Sequence, residues 1–133
     1  MISIQTYYMR KYLIVFVICF AFTAMHVQAQ PDQRTLTTKI ADLLARFPSP
    51  GAVQLDKNMQ TMAGMGVQGL EEMSAMLAAP GKGDNTALQY ALGGFSYYAA
   101  RPGNEALRAW SVTAYSKSLD RIPDAENKAF IIR

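Results

Sequence analysis

Apolar residues recur at spacings of three and four from Leu36 onward, which is the period of a helix with one buried face. Six such segments are separated by short stretches rich in glycine, proline and asparagine. None of them alternates apolar and polar residues in the way of a half-buried strand. The pattern therefore predicts an all-α fold. The predicted inward-facing residues are, segment by segment, Leu36, Ile40, Leu43, Leu44 and Phe47; Leu55, Met59 and Met62; Val67, Leu70, Met73 and Leu77; Leu88, Ala91, Leu92 and Phe95; Leu107, Trp110, Val112, Ala114, Tyr115 and Leu119; and Ala129, Phe130 and Ile132.

Prolines and capping residues mark where these helices begin and end. Pro48 and Pro50 stop the first helix because proline cannot donate the next backbone hydrogen bond. We expect Thr37 or Thr38 to cap the start of that helix, and Ser49 to cap the second. Together these signals predict helices of about 12 to 17 residues, joined by short turns.

The fourth segment carries aromatic rings outside its inward stripe. Tyr90, Tyr97 and Tyr98 make it apolar most of the way round, which is typical of a helix packed between neighbours. The pair Gly93-Gly94 lies in its interior, where each glycine costs about 1 kcal/mol relative to alanine. We therefore expect a neighbouring helix to approach closely at this glycine pair.

The first 29 residues have the order of a secretory signal peptide. Arg10 and Lys11 precede an apolar run over residues 13–22, and Val27-Gln28-Ala29 ends the segment with the kind of residues that a signal peptidase recognises. The run is shorter than the ~20 residues that span a bilayer, which disfavours the alternative of an uncleaved anchor. The sequence thus predicts a signal peptide over residues 1–29 and one helical domain over residues 30–133.

Removing this signal changes which chemistry the chain can perform. Cys19 and His26 are the only residues of their kinds, so the mature chain would have no thiol, no disulfide and no histidine base. A lipoprotein signal is disfavoured because Ile18, a large residue, precedes Cys19. The formal charge falls from +3 to +1, with 11 basic and 10 acidic residues left. We therefore expect no nucleic-acid partner, and no membrane partner after cleavage.

Two glycine motifs suggest nucleotide binding only weakly. Gly64-Met65-Gly66-Val67-Gln68-Gly69 matches G-x-G-x-x-G, but a dinucleotide site needs a buried strand before it and the preceding residues have helical spacing. Lys82 between two glycines lacks the spacing of a P-loop, which has glycine where Met76 stands and serine or threonine where Gly83 stands. The interpretation favoured for both is a glycine-rich turn. Asp120, Asp124 and Glu126 straddle a helix junction, where acidic residues serve as caps.

The paired helices resemble the HEAT-like repeat family. The sequence ALQYALGGF over residues 87–95 resembles the second helix of such a repeat, and residues 70–77 resemble its first. Residues 107–133 resemble a following repeat, and residues 36–62 a divergent capping pair. The resemblance implies antiparallel helical hairpins stacked as a short α-solenoid, in which each repeat buries its apolar face against its neighbours.

The chain also resembles the amino-terminal repeat region of secreted envelope proteins of Gram-negative bacteria that carry a 3-keto-disaccharide hydrolase-type domain. That resemblance implies a periplasmic or envelope location and a role as scaffold for an adjoining domain or protein partner. It also implies that further chain follows, and we expect the repeat domain to be incomplete at its C-terminus. An open end would favour self-association through Phe130, Ile131 and Ile132.

No catalytic, cofactor-binding or metal-binding residue is predicted, and the expected function is a non-catalytic interaction module. The alternative is a carbohydrate-binding module that uses exposed aromatic side chains. The candidate binding surface consists of Tyr97, Tyr98, Trp110 and Tyr115. Aromatic residues at helical spacing are also common in cores, so both placements stay open for these side chains.

Overall fold

A computed structural model describes residue 32 and residues 34–133, and residues 34–133 form a unit of six helices. The helices are α1 Leu36–Leu44, α2 Ala52–Gly64, α3 Gly66–Ala75, α4 Thr86–Ala99, α5 Glu105–Arg121 and α6 Ala125–Ile132. Within this described part there is no strand, so the all-α prediction is confirmed. The predicted signal peptide, with Cys19 and His26, lies outside the described residues.

The core follows the predicted stripes closely in the first four helices. Its buried apolar side chains are Ile40 and Leu43 of α1, Met59 and Met62 of α2, Leu70 and Met73 of α3, and Leu88, Ala91, Leu92 and Phe95 of α4, together with Leu77, Ala114 and Ile122. Phe95 is the largest of them and has no exposed surface. Since these side chains share one period, burying one of them orients the whole helix.

The most extensive helix contact joins α3 to α5, and small residues make it possible. Ser74, Ala114 and Ser118 are all fully buried, which lets the two helix axes approach closely. The two serine hydroxyls donate to carbonyl oxygens one turn back in their own helices, at 2.8 and 2.9 Å. Val112 was predicted to face inward on α5 but is 59% exposed, because the buried stripe of α5 includes serines that a count of apolar residues overlooks.

Two predicted helix caps are wrong. Thr35, rather than Thr37 or Thr38, caps α1, and its hydroxyl accepts from the backbone N–H of Thr38 at 3.3 Å. α2 begins after Gly51 with no side-chain cap, and the Ser49 hydroxyl instead accepts from the side chain of Asn58 at 2.9 Å. The predicted caps lie two or three residues from the observed ones, at or just beyond the one or two residues over which helix ends are ambiguous.

The G-x-G-x-x-G stretch forms the corner between α2 and α3. Gly66 has φ +64°, in the left-handed region that favours glycine, and so lets two helices meet with a single residue between them. Helix rather than strand precedes the motif, which confirms the interpretation as a turn. Gly69 is buried in the first half of α3, and a Cβ there would lie 2.4 Å from Cβ of Met65.

Asparagine side chains hold the loop between α3 and α4. Asn85 accepts from the backbone N–H of Ala78 at 2.9 Å and donates to its carbonyl oxygen at 2.7 Å. Asn127 of α6 donates to the same carbonyl oxygen at 2.9 Å. Ala78 is thus the point at which the loop, the start of α4 and α6 are joined.

The inward face of α6 differs from the predicted one. Ile132 is 70% exposed, whereas Phe130 and Ile131 are partly buried against the core. The buried residue of α6 is Asn127, which is polar and was not predicted. Its hydrogen bonds across the loop replace the apolar contact that the sequence pattern suggests. Asp124 caps α6, as the interpretation of the acidic residues implies, by accepting from the backbone N–H groups of Glu126 and Asn127.

Candidate functional site

α4 buries one face and exposes the other. Tyr90 is 57% exposed and Tyr97 is 82% exposed, although both belong to the segment predicted to be buried most of the way round. That prediction is wrong for this face because α1, α2, α3 and α5 all pack on the side of Leu92 and Phe95. Two exposed aromatic rings, seven residues apart, therefore stand two helical turns from each other on one face.

The predicted close approach is absent at Gly93, and at Gly94 the neighbouring helix α2 does not come close enough to require a glycine. A Cβ at Gly93 would meet no atom within 4 Å, and one at Gly94 would make ordinary contacts of 3.6 Å with Leu55 and Met59. No described neighbour therefore requires a glycine at position 93. The missing side chain instead leaves bare backbone in the middle of the exposed face of α4.

Two hollows meet at Gly93 and Tyr97, and we call them together the α4 groove. The first has a volume of about 400 Å³ and walls from α4, α5 and α6 that include Tyr115 and Phe130. The second, of about 410 Å³, lies between α4 and the turn after α1. Each hollow is of the size that accommodates a small ligand or a few side chains. Because helical side chains point toward the helix N-terminus, the Tyr97 ring leans toward the open position at Gly93.

Tyr115 supplies the best-defined polar contact of the first hollow. Its hydroxyl donates to the carbonyl oxygen of Leu92 at 3.0 Å, and the Ser96 hydroxyl lies 3.2 Å away. Burial raises the pKa of Tyr115 to about 12, and the hydrogen bond with Ser96 offsets only part of this rise. Tyr115 is therefore a neutral donor that ties α5 to α4 beneath the groove.

We predict that Tyr115→Phe lowers the free energy of unfolding by about 1 kcal/mol at pH 7, the usual value of one such hydrogen bond. The pKa of tyrosine is about 10 in the unfolded chain and higher in the folded one. As pH rises, the unfolded chain therefore loses this proton before the folded chain does, which favours unfolding. The stabilisation by Tyr115 is thus complete below pH 10 and is lost between about pH 10 and 12. Urea unfolding of both proteins should show their difference shrinking over that window. A constant difference from about pH 8 to 12 would contradict the burial of Tyr115.

The four predicted surface aromatics separate into two pairs. Tyr97 and Tyr115 line the α4 groove. Tyr98 and Trp110 are partly buried, with ring centroids 6.4 and 5.6 Å from that of Phe95. The sequence grouped these four, with Tyr90, as a possible aromatic platform because all are partly apolar, but Tyr90 was not kept in the candidate surface. Tyr90 and Tyr97 are seven residues apart and lie outside the inward-facing set of Leu88, Leu92 and Phe95. That spacing would have identified them as an exposed pair on one face of the helix.

Several of the charged side chains in the described part of the chain form ion pairs. The Glu71 carboxylate of α3 lies 3.9 Å from the ammonium group of Lys117 and 3.6 Å from the guanidinium group of Arg121, both on α5. Arg101 pairs with Asp56 at 2.8 Å and stacks 5.0 Å from the ring centroid of Tyr98. In the part of the chain that the structure describes, no three His, Cys, Asp or Glu residues lie close enough to hold a metal ion.

Comparison with protein-family models, with curated proteins and with solved structures finds no match to this chain. Among residue 32 and residues 34–133, no helix has both the length and the apolar character that crossing a bilayer requires.

Proposed function

We propose that the protein is an exported, non-catalytic interaction module whose α4 groove holds a protein partner or an adjoining domain. The observation that carries the proposal is the exposure of Tyr97, at 82%, beside a helical glycine that no described neighbour requires. Tyrosine is enriched where proteins bind one another, because a large apolar ring ends in a hydroxyl that tolerates water. A bare stretch of backbone next to it admits the close approach of another chain.

The proposed architecture is a short HEAT-like solenoid of three helix pairs. Its support is that the three most extensive contacts join successive pairs: α3 with α5, α2 with α4, and α4 with α5. In a solenoid each pair contacts only its neighbours, and ligands bind along a face built from one helix of each pair. The proposal that the chain is the amino-terminal part of a longer envelope protein rests on the resemblance described above alone.

Site-specific photocrosslinking tests the interaction surface. A photoreactive amino acid replaces Tyr97, and in a matched control it replaces Val112, which is 59% exposed on α5 and does not line the groove. In cells that express the protein, a discrete crosslinked product of one mass is expected from position 97 and not from position 112. The same products from both positions would show that the groove has no special role.

Carbohydrate is the second candidate ligand, because two exposed tyrosine rings offer flat apolar faces with polar groups beside them. Trp110 does not line either hollow, so groove binding should be followed by calorimetry and by NMR shifts of the Tyr97 and Tyr90 rings. If oligosaccharides bind, Tyr97→Ala should weaken binding about tenfold or more, as loss of about 1.4 kcal/mol implies. Val112→Ala should leave the affinity unchanged. No heat and no shift at millimolar sugar would eliminate this candidate and leave the protein partner.

Export is tested separately from binding. Expression in a Gram-negative cell should give a mature chain in the periplasm that begins at Gln30, because Val27-Gln28-Ala29 is the proposed recognition sequence for signal peptidase. Mass spectrometry of the purified protein measures the N-terminus directly. A full-length product in the cytoplasm would contradict the signal peptide while leaving the groove proposal to its own test.

A further inference from the structure

α6 is attached to the rest of the described unit differently from the other helices. It has eight residues, follows Pro123, and makes its one substantial helix contact, within residues 34–133, with α5. A helix of this length is not stable by itself in water, because its first turn fixes several residues for a single hydrogen bond. The helical state of α6 therefore depends on the contacts that hold it in place.

One buried polar side chain anchors α6 to the loop between α3 and α4. Asn127 is 4% exposed, and its side-chain nitrogen donates to the carbonyl oxygen of Ala78 at 2.9 Å. That carbonyl also accepts from Asn85, so it keeps a partner when Asn127 leaves. The second contact of the Asn127 nitrogen, to the carbonyl oxygen of Leu77, is long at 3.5 Å. Release of Asn127 into water therefore breaks one good hydrogen bond whose acceptor keeps another donor, which lowers the cost of opening.

The apolar packing of α6 is incomplete on both sides. Phe130 lines the first hollow of the α4 groove and also a more polar hollow of about 360 Å³ next to the loop that carries Asn85. Phe130 and Ile131 are only partly buried, and Ile132 is 70% exposed. Protein interiors normally leave few voids larger than a water molecule, so a helix flanked by two hollows gains less from its packing than one inside the core.

From the hinge, the single anchor and the two hollows, we propose that α6 opens as a unit about Ile122 and Pro123. Ile122 has an extended backbone with ψ 116° and stays 2% exposed, so the hinge is fixed at the edge of the core. Opening separates Asn127 from Ala78. Because Phe130 is part of a wall of the α4 groove, the same motion dismantles that wall, and only this consequence rests on the proposed function.

Amide hydrogen exchange of the purified protein, under conditions where the opening equilibrium sets the rate, tests the motion directly. The amides of residues 128–132 should share one protection factor, lower than those of α3 and α5. Asn127→Ala should speed their exchange about two- to tenfold, as loss of one hydrogen bond whose acceptor keeps another donor implies. Alanine forms helices better than asparagine, so faster exchange in this variant does not arise from weaker helix propensity.

Met62→Ala is the matched control, because Met62 is buried in α2 and is remote in sequence from α6. It should speed exchange in α3 and α5 while leaving residues 128–132 unchanged, since α6 opens without unfolding the core. Acceleration of α6 by the same factor as α3 would overturn the proposal by showing that α6 opens only in global unfolding. Protection that declines gradually from residue 128 to residue 132 would overturn it as well, by showing fraying instead. Neither result depends on what the groove binds.

Discussion

Phe95→Ala is expected to lower the free energy of unfolding by about 3 to 5 kcal/mol, the range measured when a buried aromatic side chain is removed from a core. Phe95 has no exposed surface, and its ring contacts Tyr98 on the same helix and Trp110 on α5. Removing the ring leaves a cavity where α4 and α5 meet, and the surrounding helices can close it only in part. Denaturation by urea, followed by circular dichroism, measures the loss.

Tyr97→Ala is the matched control for Phe95→Ala. It removes an aromatic ring two residues away on the same helix, but from a position that is 82% exposed. The expected change in the free energy of unfolding is within about 0.5 kcal/mol. A large loss from Tyr97→Ala, or a small one from Phe95→Ala, would mean that α4 is rotated relative to the described core.

Gly69→Ala is expected to destabilise the fold by about 1 to 3 kcal/mol, the usual cost of forcing extra atoms into a packed site. The added Cβ would lie 2.4 Å from Cβ of Met65, an atom next to the backbone that cannot turn aside as the end of a flexible side chain can. The corner at Gly66 would have to shift to make room. Thermal unfolding, with the melting temperature as readout, measures this effect.

Gly93→Ala is the contrasting substitution and is expected to stabilise the fold by about 1 kcal/mol, the difference in helix propensity between alanine and glycine. The added Cβ at Gly93 meets no atom within 4 Å. It does, however, project into the α4 groove, so the variant should bind a groove ligand more weakly than the original protein. Equal loss of stability from Gly69→Ala and Gly93→Ala would contradict the described surroundings of both glycines.

The helix stripes were predictable because burial of a helix requires apolar residues at a fixed period. The inward residues of α1 to α4, such as Ile40, Met59, Met73 and Leu92, could be identified from spacing alone. α5 was harder, since its buried positions include Ser111 and Ser118. A serine whose hydroxyl bonds to its own helix can be buried at little cost, and nothing in the local pattern distinguishes it from an exposed one.

Individual residues of the α4 groove could be predicted from the sequence, but the groove itself could not. Tyr97 and Tyr115 were candidates from composition, but whether a partly apolar ring lies in the core or on a surface depends on which neighbours cover its helix. Trp110 and Tyr98 are equally aromatic, and they pack against Phe95. The glycine pair was misjudged for the same reason, since an open glycine and a closely packed one look alike in a sequence.

For residues 34–133, the sequence by itself determined the helical class, the number of helices and the faces by which most of them pack. These properties follow from the spacing of apolar residues and from the positions of proline and glycine, which are local features of the chain. Only the tertiary structure decided that one face of α4 stays uncovered, that Gly93 lies in open space and that Asn127 anchors α6. Each of these depends on contacts between residues far apart in the chain, and a local sequence pattern does not specify which helix packs against which.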